Sequence, residues 1–138
     1  EVRLLTTVYM GATDAEALDR LVTDLGVKVK VSYDTKTTRL HAKAWLLERN
    51  SGFSTAFVGS SNLSNPALSS GLEWNVRLSQ VSSPAVVKEF KTAFETYWNA
   101  DEFHEYLPAR DRETLDVALE MANPSGTKTE NYFFLVTT

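Results

Sequence analysis

The sequence predicts an α/β fold, a mixed β-sheet flanked by helices, and three observations carry that expectation. Runs rich in β-branched residues alternate along the chain with runs of helical apolar periodicity. Gly11, Gly26, Ser51-Gly52, Ser83-Pro84 and Asn123-Pro124 punctuate the junctions between them. The 138 residues, 43% hydrophobic and 23% charged, supply enough apolar surface for one core and not for two, so a single domain over 1–138 is expected.

Residues 2–10 are β-branched and aromatic and end at Gly11, which suits a buried strand closed by a turn. A helix follows, with Thr13 as its expected cap, Glu16 reaching back from three residues on, and Leu18, Leu21, Val22 and Leu25 as its apolar stripe. Gly26 ends it. Val27, Val29, Val31 and Tyr33 then alternate with Lys28, Lys30 and Ser32, the pattern of a half-exposed strand. After a polar loop at 34–38, residues 40–47 and 55–58 read as two strands joined by a turn at 49–52, and 72–78 as a further strand. Ser83-Pro84 opens a second helix, whose Val86, Val87, Phe90, Ala93, Phe94, Tyr97 and Trp98 form an apolar and aromatic face. Residues 111–121 suggest a last helix, ahead of a break at 123–126 and a short apolar run at 132–136. There is no internal repeat.

Composition narrows the chemistry. Cysteine is absent and there are two histidines, so a disulfide framework, a thiolate metal site and a histidine-rich metal cluster are all excluded. The net charge of -4 argues against a globally basic nucleic-acid binder, while leaving room for a local cationic patch. No apolar run is long enough to span a bilayer and no basic-then-apolar leader opens the chain, which reads as a soluble, cytoplasmic protein without a membrane partner. Because the chain begins at Glu1, directly before a strand-like run, it is expected to be a piece of a longer protein.

The stretches that carry chemistry are 40–48, 59–64 and 71–75. On a strand, His41 and Lys43 project from one face, setting an imidazole beside an ammonium. A nucleophile attacking an anionic phosphodiester needs such a cation close by, together with donors to the phosphoryl oxygens. Ser60 and Asn62, on the glycine-started loop after the neighbouring strand, are candidates for those donors. An imidazole attacks through one nitrogen while the other keeps its proton, and a carboxylate fixes that tautomer. Glu73 is the candidate carboxylate.

The spacing His41, Lys43, Glu48, then Gly59, Ser60 and Asn62, resembles the signature of the phospholipase D superfamily. The resemblance implies a covalent phosphohistidine at His41, formed and resolved without a metal or other cofactor, and a glutamate beyond the asparagine that orients the histidine, which falls on Glu73. Two departures stand out: the acidic position is Glu48 in place of the usual Asp, and the connection from it to Gly59 is longer than usual. Strand alternation turns Glu48 away from His41, so it is read as structural. More narrowly, 5–14 together with 41–45 and 59–75 resembles the phospholipase D-like domain at the N-terminus of bacterial superfamily 2 helicases, over most of the chain to about Tyr106. That resemblance implies a nucleic-acid substrate, DNA in the first instance, and a linked motor.

In-line displacement needs one group attacking phosphorus and another protonating the leaving oxygen from the opposite side. One copy of the motif does not supply both, so the second half is expected from a homodimer or from the rest of a longer chain. His104 has no partner at useful spacing and reads as a surface residue. Trp45 and Trp74 read first as core and second as surfaces on which a base stacks. Lys28, Lys30, Lys36 and Arg39 are candidates for a phosphate track or a solvated face. The alternative function is a non-catalytic nucleic-acid or protein-docking module of the same fold. Lipid phosphatidyl transfer is disfavoured, because no membrane-anchoring segment accompanies the motif.

Overall fold

The computed structural model describes residues 1–34, 40, 42–60, 74–126 and, by their backbone, 133–137. β1 (Val2–Thr7) leads through a short 3-10 turn at Tyr9–Gly11 into α1 (Ala15–Thr23), which returns the chain to β2 (Lys28–Ser32), parallel to β1. β3 (Ala44–Leu47), β4 (Thr55–Gly59) and β5 (Asn75–Ser79) form an antiparallel meander. α2 (Pro84–Trp98), β6 (Phe103–Glu105), α3 (Pro108–Ala122) and β7 (Phe133–Thr137) complete the chain. The described strands make one mixed sheet of order β5-β4-β3-β7-β1-β2-β6. The last strand enters the middle, antiparallel to β1 and parallel to β3, and so joins the two halves.

Both faces of the sheet are buried at β1. Leu4 and Leu5 point to opposite sides and are each 0% exposed. Leu4 packs with Leu18, Val29, Val31, Tyr106 and Leu115 under α1 and α3, whereas Leu5 packs with Leu46, Ala56, Val87 and Phe94 under α2. Each such side chain contributes about 1.5–3 kcal/mol on burial. Arg3 fastens β1 to α2 by a two-pronged bond to Glu95, at 3.1 and 2.5 Å, while its guanidinium lies 4.9 Å from the Phe94 ring centre. The arginine's hydrogen bond holds the Glu95 carboxyl below its usual range. The pair's contribution is therefore full above the ordinary glutamate range and is lost as the pH falls through the lowered value.

The structure corrects three local expectations. β1 ends at Thr7, because Met10 and Gly11 take left-handed backbone angles in the turn. Gly11 is required there: a side chain would meet the α3 backbone at Leu119 O, 2.8 Å away. The cap of α1 is Asp14 and not Thr13; the Asp14 carboxylate accepts the Ala17 N–H at 3.0 Å. Thr13 is buried, and its hydroxyl donates to the Thr7 carbonyl at 2.6 Å, tying the helix entry to the end of β1. β2 is an interior strand rather than a half-exposed one. Lys30 lies over Trp98 and donates to its carbonyl at 2.7 Å, and Ser32 is 0% exposed. Gly26 stops α1 as expected, with φ +64.

Asp14→Ala is expected to lower the unfolding free energy by about 0.5–2 kcal/mol. Thr13→Val, which strips a buried carbonyl of its donor, should cost about 1–3 kcal/mol. Urea denaturation of the two variants measures both, and a Thr13 effect with none at Asp14 would return the cap to Thr13.

Candidate active site at one edge of the sheet

The meander brings the two motif segments together through its register. Ala44 pairs with Val58, and the Gly59 N–H donates to the Lys43 carbonyl at 3.1 Å, so the ladder runs one residue beyond β3. Gly59 in turn pairs with Asn75. Lys43, Gly59 and Asn75 thus form one row across three strands. The next residues close it: Ser60 N–H donates to the Trp74 carbonyl at 2.9 Å, and the Ser60 hydroxyl accepts the Trp74 N–H at 3.0 Å. Ser60, read from sequence as a phosphoryl donor, therefore has its oxygen engaged in clamping together the two ends of segment 61–73.

Gly59 must be glycine for this row to form. A Cβ there would lie 2.7 Å from the Asn75 Cα and would also meet the Trp74 carbonyl and the Asn75 side-chain oxygen. The bare backbone lets β5 approach and lets Asn75 lean across the strand.

Lys43 stands one residue before β3, which begins at Ala44 and not at residue 40 as the sequence suggested, at the same edge of the sheet as the ends of β1 and β2, because Phe134 pairs with both Ala44 and Leu5. The turn after β1 and the 60–74 connection leave from this edge. Crevices outside strand ends are where mixed and parallel sheets place ligands. Alternation puts Lys43 on the side opposite Ala44, which is 3% exposed beneath α2. Of the residues predicted to act, Lys43 and Ser60 are brought to this edge. His41, Asn62 and Glu73 lie outside the described residues, as do Lys36 and Arg39.

Glu48 sits past the far end of β3, about 16 Å along the strand from Lys43. Its side chain is 17% exposed, and one oxygen accepts the Lys91 ammonium at 2.5 Å, linking β3 to α2. That contact gives the structural reading of Glu48 its physical content. His104 lies exposed on β6, opposite Val31 and 6.2 Å from the Tyr33 ring. It is four strands from β3 in the sheet order, about 19 Å away. Lys28 pairs with Glu1 at 2.8 Å, and Lys30 is held at Trp98, so neither belongs to a phosphate track at this edge. Trp74 is 87% exposed and not core. Sequence reasoning passed over Asn75, which its two-residue alternation with Arg77 along β5 could have flagged. Among the described residues, no group of three or more His, Asp or Glu is placed to hold a metal ion.

Residues 1–98, from β1 to the end of α2, match the family model described as "Cardiolipin synthase, PLD-like domain". The chain belongs to the phospholipase D-like family. None of the curated proteins matches it. The phospholipase D-like match embraces β1–β5, and with them the whole His-x-Lys and Gly-Ser-x-Asn framework. Membership points to phosphodiesterase-type hydrolase chemistry, and the paired strands deliver the motif lysine and the glycine-serine turn to a common edge.

Gly59→Ala is expected to push β5 off β4 and to lower the denaturation midpoint while also abolishing phosphodiesterase turnover. Ala56→Gly, three rows away on the α2 side, is expected to lower stability and leave turnover of the folded fraction intact. Parallel denaturation and activity measurements separate the two, and an active Gly59→Ala chain would contradict the row geometry.

Proposed function

We propose that this phospholipase D-like domain is a metal-independent phosphodiesterase that cuts nucleic acid, DNA in the first instance, through a phosphohistidine at His41. The observation that carries the reading is the pairing of Lys43 with Gly59, which sets the motif cation beside Ser60, where the sequence Ser60-Ser61-Asn62 begins. A His41 nitrogen attacks phosphorus, the bond to the leaving oxygen breaks, and that oxygen takes a proton from a second histidine across the cleft. Water, giving a proton back to the second histidine, then attacks phosphorus, the phosphorus–nitrogen bond breaks and His41 is freed. Lys43 offsets the charge of the phosphoryl oxygens, Asn62 and the Ser60 turn donate to them, and Glu73 holds the other His41 nitrogen protonated.

The second histidine comes from another copy of the chain or from the remainder of a longer protein, within which 1–138 is one domain. The residues at 5–14, 41–45 and 59–75 support attachment to a superfamily 2 helicase and a cytoplasmic setting. The matched family's description names cardiolipin synthase, a different substrate class. Among the described residues no helix is long and apolar enough to cross a membrane. Vesicle cosedimentation separates the classes: the chain is expected to stay in the supernatant, and turnover confined to vesicle-bound protein would favour lipid.

Hydrolysis of bis(p-nitrophenyl) phosphate and of DNA is expected to persist in excess chelator and to be lost in His41→Ala and Lys43→Ala. Dependence on added magnesium would defeat the reading. Asn62→Ala should lower kcat by about ten- to a thousandfold, the range for one transition-state donor; a change confined to KM would reassign Asn62 to binding. If two copies share the cleft, sedimentation of the active chain shows a dimer, and a fully active monomer rules that arrangement out.

A further inference from the structure

The two sides of the β3-β4-β5 meander differ. The side bearing Ala44, Leu46, Ala56 and Leu78 is packed beneath α2. On the other side, register aligns Trp45 with Phe57 and Phe57 with Arg77, directly below the Lys43–Gly59–Asn75 row. Among the described residues the helices of this side, α1 and α3, pack over β1 and β2 instead. Trp45 and Phe57 stay half-buried although β3 and β4 are interior strands, and Arg77 is exposed. Among the described residues Arg77 makes no hydrogen bond or ion pair. Arg49, at the far end, donates to two neutral oxygens, the Phe53 carbonyl and the Thr55 hydroxyl, and among the described residues makes no ion pair. None of the β3, β4 and β5 residues sharing this side is acidic, in a chain whose net charge is -4.

We propose that this face is a binding track for single-stranded nucleic acid that leads into the site at Lys43. It rests on the phosphodiesterase reading and adds to it the strand state of the substrate and the surface that holds it. Trp45 and Phe57 offer π-faces to unpaired bases, while Arg77 and Arg49 flank them as cations for the phosphates. A duplex hides its base faces in its own stack and gains the charge attraction alone. Asn75, leaning over Gly59, sits where the track meets the site.

The test is anisotropy of a fluorescein-labelled oligothymidylate titrated with the full chain carrying His41→Ala, which binds without cutting. Arg77→Glu in that background is expected to weaken binding about tenfold and to reduce the slope of log K against log salt by about 1. Phe57→Leu should weaken it with the salt slope unchanged. Lys88→Glu, the same charge change on exposed α2 across the sheet, should leave affinity within about twofold. Tighter binding to a blunt duplex, an Arg77→Glu affinity equal to the parent's, or an equal loss in Lys88→Glu would each overturn the track. So would an Arg77→Glu chain that sediments differently yet binds as before, which would make this face a contact between copies. Failure here with bis(p-nitrophenyl) phosphate still hydrolysed by the unmutated chain would sink the track and not the phosphodiesterase reading.

Discussion

The register of β3 against β4 is the constraint on which everything at the site depends. Side chains alternate with a period of two, so a slip by one residue would turn Lys43 under α2 and bring Ala44 out to the edge. The slip is resisted on both sides. Ala44, Leu46 and Ala56 are close to fully buried, and Glu48 is held by Lys91 on α2. At the other end the Gly59–Lys43 bond and the reciprocal Ser60–Trp74 pair fix where β4 stops and segment 61–73 begins. The acidic member of the motif, far from the chemistry, thus helps to hold the phase of the strand that carries it.

A second constraint operates across the sheet. β1 and β2 with α1 and α3 form one packed unit, the β3–β5 meander with α2 another, and β7 lies between them. Arg3 adds a bond from β1 to Glu95 on α2. The family match ends at 98, yet a strand from 133–137 completes the sheet that supports the matched part. The edge therefore draws its rigidity from both ends of the sequence.

Much of this was legible in the sequence where local pattern and tertiary context agree. The helices announced themselves by apolar period and by Ser83-Pro84 and Gly26, and the meander by β-branched runs around a Gly-containing turn. What escaped shows why local rules run out. Thr13 and Asp14 are both good caps, and only the buried Thr7 carbonyl decides that the threonine hydroxyl goes inward. β6 has three residues and exists because β2 offers it an edge, which no local pattern encodes. The lysines of β2 looked like a phosphate track because alternation says which face they share and not what covers it; Trp98 does. Motif spacing singled out Lys43 and Ser60, and the strand register sets both at one edge, while Asn75 and Arg77 became visible only once β5 had a partner. His41, Asn62 and Glu73 fall outside the described residues, and for them the proposal rests on the sequence motif.

The central claim is that the strand edge built by this register presents His41 to a phosphodiester as a nucleophile. The most direct measurement is trapping: the chain is mixed with a radiolabelled oligonucleotide, quenched without acid, and resolved under alkaline conditions that preserve phosphoramidates. The account predicts label bound covalently to the protein, released by acid and absent in His41→Ala. Rapid turnover with no label on the protein, or label that survives the His41 substitution, would contradict it.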